Sequence, residues 1–229
     1  MTVSLTDQDG FHIRNTRLEE LDEYINILER AAEWMESQNL KQWIPGTFRQ
    51  PEARNHISNA IAKKTSFVVV HNNISNGNGD NADNTTTITS APQKIAAIFA
   101  LNYEDPFDEM LWVPLLGSDH WKDAIYVHRL VVEKEFQGRG IVPKVFKFAE
   151  ELVPKMGKQY LRLDCRGNNP GLRKFYREKC RGRVVVRRGS DNEKEMEEEV
   201  RVMGLPERGT YTNPATGINY ARFELLVCP

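Results

Sequence analysis

The sequence predicts a mixed α/β fold whose sheet is not purely parallel. Apolar residues recur at helical spacing in several separate segments, while short β-branched runs lie both between those segments and next to one another in the chain. Across 229 residues, 40% hydrophobic and 28% charged, there is enough apolar material for one substantial core.

Phe11 to Arg17 alternates apolar and polar residues and reads as a first strand, with Phe11 and Ile13 on one face. Leu21, Tyr24, Ile25, Leu28, Ala31, Ala32 and Met35 then form one buried stripe, which predicts a helix from Leu18 to about Gln38. Pro45 and Gly46 break it, and Pro51 opens a second helix through about Lys64, because proline is tolerated in a first helical turn. Phe67 to Val70 is a strand. Residues 72–93, with six Asn and a Thr run, predict a mobile loop, since too little apolar surface is present to offset the entropy of ordering. Lys94 to Leu101 is the next strand, and 102–123, mixing Pro, acidic residues and three large apolar ones (Met110, Leu111 and Trp112), reads as an irregular crossing.

Ile125 to Val132 is expected as a strand, Gly138 to Val153 as a helix ended or bent near Pro154, and Tyr160 to Cys165 as another strand. A helix from Asn169 to about Lys179 and a strand at Arg183 to Arg187 follow. The charge-dense stretch within 189–213 reads as a solvated excursion, and Ala221 to Val227 as the closing strand. The whole is expected to be one domain, 1–229.

Composition excludes several function classes. With 31 basic and 32 acidic residues, no global field favours nucleic acid or an anionic membrane, and neither is expected as a partner. Cys165, Cys180 and Cys228 show no zinc-ligand spacing, so no metal is expected and the thiols read as buried or unreactive. No apolar run approaches the length of a membrane span, and the first ten residues lack a secretory pattern; a cytoplasmic or nuclear location is expected. The sequons at Asn73 and Asn84 read as chance matches.

The chemistry concentrates in Gln137-Gly138-Arg139-Gly140-Ile141-Val142, between a strand and a helix. Two glycines let the backbone turn tightly and approach a ligand closely, and the helix start aims unpaired N–H groups and its positive dipole end at the same point. That is a cradle for linked phosphates or, on the motif alone, a plain tight turn. A dinucleotide site would want a third glycine, which is missing. Asp164 ends the next strand, which leads into Asn169-Pro170-Gly171-Leu172-Arg173-Lys174-Phe175-Tyr176.

These residues resemble the GNAT superfamily of acyl-CoA-dependent N-acetyltransferases. Gln137 to Val142 matches the family's Arg/Gln-x-x-Gly-x-Gly/Ala loop, Leu130-Val131-Val132 the strand end that pairs with the pantetheine arm, and Asn169 with Tyr176 its Asn-x6-Tyr helix. The likeness covers about Phe11 to Arg187. It implies a mostly antiparallel sheet of about seven strands flanked by about four helices. It also implies acetyl-CoA as cosubstrate, and cofactor contacts from Leu130, Val131, Val132, Gln137, Gly138, Arg139, Gly140, Ile141, Val142, Asn169 and Tyr176. Two departures stand out: Val142 replaces the usual small residue, and Pro143 removes one N–H donor.

Amine acetylation needs a base for the amine and a proton donor for the leaving thiolate. Tyr176 suits the donor role, and its alternative is a core tyrosine beside Phe175. The family's usual carboxylate base has no counterpart, Tyr126 standing at the matching position. His128, read as sharing a strand face with Tyr126 and Leu130, is the candidate base or else a packed histidine, with Asp123 and Glu109 behind it. Acidic residues from Glu104 to Asp123 would attract a cationic amine or are simply solvated. Trp34, Trp43 and Trp112 would wall a pocket or fill the core, and Arg173, Lys174, Arg139 and Lys144 would neutralise phosphates or decorate helices. The expected function is acetyl transfer to the primary amine of a small molecule in a ternary complex, by a monomer or homodimer. Acetylation of a protein lysine or N-terminus, a CoA-binding regulatory protein and a nucleotide-binding domain are the alternatives.

Overall fold

The computed structural model describes residues 5–6, 10–71, 93–189 and 196–228. The loop expected at 72–93 lies outside them except for Gln93. Its strands are β1 (Leu5–Thr6), β2 (Phe11–Asn15), β3 (Ser66–His71), β4 (Lys94–Asn102), β5 (Ala124–Val132), β6 (Tyr160–Arg166), β7 (Gly182–Gly189), β8 (Met196–Met203), β9 (Glu207–Thr212) and β10 (Asn219–Leu226). Its helices are α1 (Leu21–Ser37), α2 (Pro51–Ala62), α3 (Pro106–His120), α4 (Ile141–Lys155) and α5 (Pro170–Glu178). The main sheet runs β1-β2-β3-β4-β5-β6-β10-β9, antiparallel except for the β5–β6 pair, so the mixed, mostly antiparallel sheet is as expected.

Side-chain parity makes the sheet two-sided. On β3, Phe67 and Val69 pack with Phe146, Phe148 and Ala149 of α4, while Val68 and Val70 pack with Tyr24, Ile25 and Leu28 of α1 and Ile57 and Ile61 of α2. Burial on both faces explains why this strand reads as one continuous apolar run. A third cluster joins Leu111 and Trp112 of α3 to Trp121, Ala124 and Tyr126.

Three expectations are corrected. Residues 102–123 are not an irregular crossing, because they contain α3. Asp105 caps it by accepting from the Phe107 amide at 2.9 Å, Pro106 occupies the first turn, and Gly117 (φ 82°, ψ 175°) marks a kink, so the residues that looked like breakers start and bend a helix. The segment 189–213 holds all of β8 and β9. Charges are tolerated there because, among the described residues, β9 is an edge strand and β8 pairs only with β7. With β7, β8 forms a separate two-stranded sheet. Finally, α4 begins at Ile141 rather than Gly138, since Gly138 (φ 78°) and Gly140 (φ 75°) are left-handed.

Candidate active site

β5 and β6 pair only over Ala124↔Tyr160 to Val127↔Leu163. Beyond this, β6 continues against β10 to Arg166↔Tyr220, and β5 continues against β4 to Val132↔Ala97. The two central strands therefore separate, and from His128 to Val132 the β6-facing edge of β5 has no strand partner among the described residues. Two cavities flank this stretch. One, roughly 390 Å³, lies between Arg30 and Trp34 of α1, Leu130 to Val132, and Gln137. The other, roughly 520 Å³, is lined by groups that include Trp43, Phe48, His56, His128, Asp164 and Tyr176. Met35 and Leu130 line both, so the cavities adjoin.

Gln137 to Gly140 are exposed, and a Cβ built on Gly138 or Gly140 would meet no protein atom within 4 Å. The space beside these two glycines is open to a ligand. The first-turn amides of a helix lack intrahelical acceptors, and Pro143 takes one of them away. An exposed glycine turn at a helix start, an unpaired strand edge and a cavity that reaches from that edge to Gln137 fit a phosphate-tailed arm with an amide-bearing linker, as the resemblance implies for coenzyme A.

At the junction with the second cavity, the register between β4 and β5 shifts between Ile98↔Val131 and Ala100↔His128, and Arg129 is left-handed at φ 52°. This is a bulge. It reverses the parity of the strand: Ile125 and Val127 pack on the α4 side before it, and Leu130 and Val132 after it. His128 therefore shares a face with Tyr126 as expected but not with Leu130. An inserted residue cannot be seen from alternation alone.

His128 Nε2 lies 2.8 Å from Oδ1 of Asp108. Asp108 is fully buried on α3, behind His128 as seen from the cavity, and its Oδ2 makes no hydrogen bond with the described residues. An ionised carboxylate only accepts, so Nε2 is the donor and Nδ1 keeps the lone pair. Burial disfavours the imidazolium, but the charge and hydrogen bond of Asp108 outweigh it and hold the His128 pKa above the usual histidine value. Burial raises Asp108, an effect His128 partly offsets. Asp164, at the opening on β6, is pushed up to about 6 by burial. One ligand atom from each of Asp108, His128 and Asp164 lies within 4.8 Å of the others. A cation, whether an ammonium or a metal ion, would be favoured there.

Tyr176, on α5, lines the same cavity against Phe175 and Phe223, with ring centroids at 5.7 and 5.6 Å. Burial, then the neighbouring thiols and Asp164, raise its pKa, so the phenol stays protonated. Asn169 caps α5, its Oδ1 accepting from the Leu172 amide at 3.0 Å.

Other candidates fall elsewhere. Tyr126 is fully buried and donates to the Trp121 carbonyl at 2.5 Å, so it does not stand in for the missing carboxylate. Glu109 is exposed, and Asp123 faces His120 Nδ1 at 3.3 Å; neither lines the cavity. Trp43 walls the larger cavity and Trp34 the smaller, while Trp112 is core. Arg139 lies over the Phe11 ring, 4.7 Å from its centroid, and Arg173 pairs with Glu207. Asp108, the partner of His128, has no site role in the sequence reading. Its spacing to Leu111 and Trp112, three and four residues on, places it on the inward face of a helix once Asp105-Pro106 is read as a helix start.

Comparison with known proteins agrees with this geometry. Residues 90–182 match the model of the Acetyltransferase (GNAT) family. An uncharacterized N-acetyltransferase of Bacillus subtilis (strain 168), YesJ, is 27% identical over 172 residues, 75% of this chain and 82% of that protein. The crystal structure of a GNAT-family acetyltransferase from Listeria monocytogenes 4b F2365 is 18% identical with a TM-score of 0.57, covering 97% of this chain and all (100%) of its own. YncA of Salmonella typhimurium, solved with its cofactor acetyl-CoA, is 10% identical with a TM-score of 0.51, covering 96% and 95%.

Proposed function

We propose, from the premise that this chain belongs to the GNAT superfamily and is an acyl-CoA-dependent acetyltransferase, that its acceptor is the primary amine of a small molecule, acetylated by direct attack in a ternary complex. The observation that carries this reading is the convergence of His128, backed by Asp108, with Tyr176 and Asp164 on one cavity beside the unpaired edge of β5. Leu130 to Val132 would bind the pantetheine amides, and the amides of 137–142 the pyrophosphate. Asn169 would serve by fixing the start of α5 and hence the position of Tyr176.

In this reading Asp164 attracts the ammonium form of the acceptor, and Nδ1 of His128 takes the first of the two protons that the nitrogen loses. As the nitrogen bonds to the thioester carbonyl carbon and the C–S bond breaks, the Tyr176 phenol donates its proton to the leaving sulfur, and the second proton released by the nitrogen as the amide forms restores the phenol. The loop bearing Trp43 and Phe48, which line the cavity, is tied down by Glu29, whose buried carboxylate accepts from the Gly46 and Phe48 amides at 2.6 and 2.7 Å. That fixed aromatic wall favours a small acceptor over a protein lysine or N-terminus. A thiol-release assay with acetyl-CoA across small amines, amino acids and peptides tests it. Small amines should release CoA fastest. Release only with peptides would reverse the acceptor assignment, and CoA binding without release by any amine would point to a regulatory protein.

A further inference from the structure

The acceptor cavity holds a cation that the transfer chemistry does not use. Arg129 lines it, yet has no hydrogen-bond or ion-pair partner among the described residues, and its Nη1 is buried. The surrounding charges do not satisfy it. Asp108 feels the guanidinium but gives its hydrogen bond to His128, and Asp105 accepts from Asn102 and from the Phe107 amide. His56, across the cavity, is held below the usual histidine pKa by burial and by Arg129 itself, so it is neutral near pH 7. Desolvating a guanidinium is costly unless an anion completes it, and its planar fork matches a carboxylate. The left-handed backbone at Arg129 spends further free energy on placing the residue in this position.

Opposite charge is present in the same cavity. Asp164, beside His128, is ionised at neutral pH and suits an ammonium. Trp43, Phe48 and Phe107 supply apolar wall between and around these poles.

We infer that the acceptor is an amino acid, bound with its carboxylate on Arg129 and its amine between Asp164 and His128. This rests on the acetyltransferase reading of the site and adds the substrate class. The test uses matched ligands: L-phenylalanine against phenethylamine and phenylalaninamide, and L-leucine against isoamylamine. Each is measured by calorimetric binding to the CoA-loaded protein and by thiol release from acetyl-CoA. The wild type should bind the carboxylate-bearing member of each pair more tightly. Arg129→Gln should weaken that member on the order of 100-fold and leave the others nearly unchanged, with Arg129→Lys restoring part of the difference. Arg129→Asn, better suited to a left-handed backbone, replaces the Gln variant if that one fails to fold. Equal affinity of wild type for both members of each pair would overturn the inference, as would an equal loss for every acceptor in Arg129→Gln, which would make the arginine a mere counter-charge to Asp108. Carboxylate preference in binding with no thiol release would keep the amino-acid site on Arg129 but overturn its role as acceptor together with the acetyltransfer reading, while release without preference would keep that reading and overturn the inference.

Discussion

Asp108 and His128 are joined by a 2.8 Å contact between residues from a helix and a strand twenty positions apart, and the contact fixes which imidazole nitrogen faces the cavity. As the proposed base, His128 would act only when neutral, so activity should rise as pH climbs through its raised pKa. In Asp108→Asn the raising influence of the carboxylate is gone and burial, which lowers the value, remains. The acid limb of the kcat/KM profile should therefore move to lower pH while its plateau falls. His128→Gln should lower the plateau by on the order of 100-fold or more. An unmoved limb in Asp108→Asn would detach the carboxylate from the base.

Tyr176→Phe keeps the ring packing with Phe175 and Phe223 and removes only the hydroxyl. Turnover should drop by roughly 10- to 100-fold if the phenol protonates the thiolate, within the range general acids contribute. Acetyl-CoA affinity, read by calorimetry, should change little. Unchanged turnover would make Tyr176 a core residue with no chemical part.

Gly140 sits at φ 75° with open space where a side chain would project. Gly140→Val should destabilise the loop by roughly 1–2 kcal/mol through the left-handed backbone and fill the cradle besides. CoA binding should weaken more than the thermal midpoint falls. Equal CoA affinity would show that the pyrophosphate binds elsewhere.

Glu29 holds the Gly46–Phe48 segment with two charge-assisted bonds from within α1. Glu29→Ala should cost roughly 1.5–3 kcal/mol for each bond lost, at most, and release the wall of the acceptor cavity. Thermal unfolding together with acceptor KM checks this. A higher KM at unchanged acetyl-CoA affinity is the expected pattern.

What could be read from sequence was what alternation, helical spacing and glycine positions encode. Gly138 and Gly140 marked the cradle because a tight turn before a helix demands them, and β3 was visible because both its faces are buried. Asp108 was hidden because an acid among prolines and other acids looks solvated, and only the capped start of α3 turns it inward. Arg129 was hidden because a bulge is a backbone event that side-chain alternation does not record. β8 and β9 were missed because strands with one partner tolerate charge. The site thus depends on two local departures from regular structure, a kinked helix and a bulged strand, both of which periodicity smooths over.

Asp164 supplies a prediction on stability rather than rate. Burial lifts its folded-state pKa from 3.8 to about 6, so the folded protein keeps a proton that the unfolded chain has already released within that window. Stability then falls as pH rises from about 4 to 6, and the deficit persists above it, because ionising the carboxyl is harder in the folded site. Asp164→Asn removes the titration. Its thermal midpoint should exceed that of the wild type at pH 8 and approach it at pH 4, measured by scanning calorimetry in low salt. The same variant should bind the acceptor ammonium less well, raising its KM. A midpoint difference that is flat with pH would mean that Asp164 ionises freely, and the cavity would then lack the strained carboxylate that makes it a site for a cation.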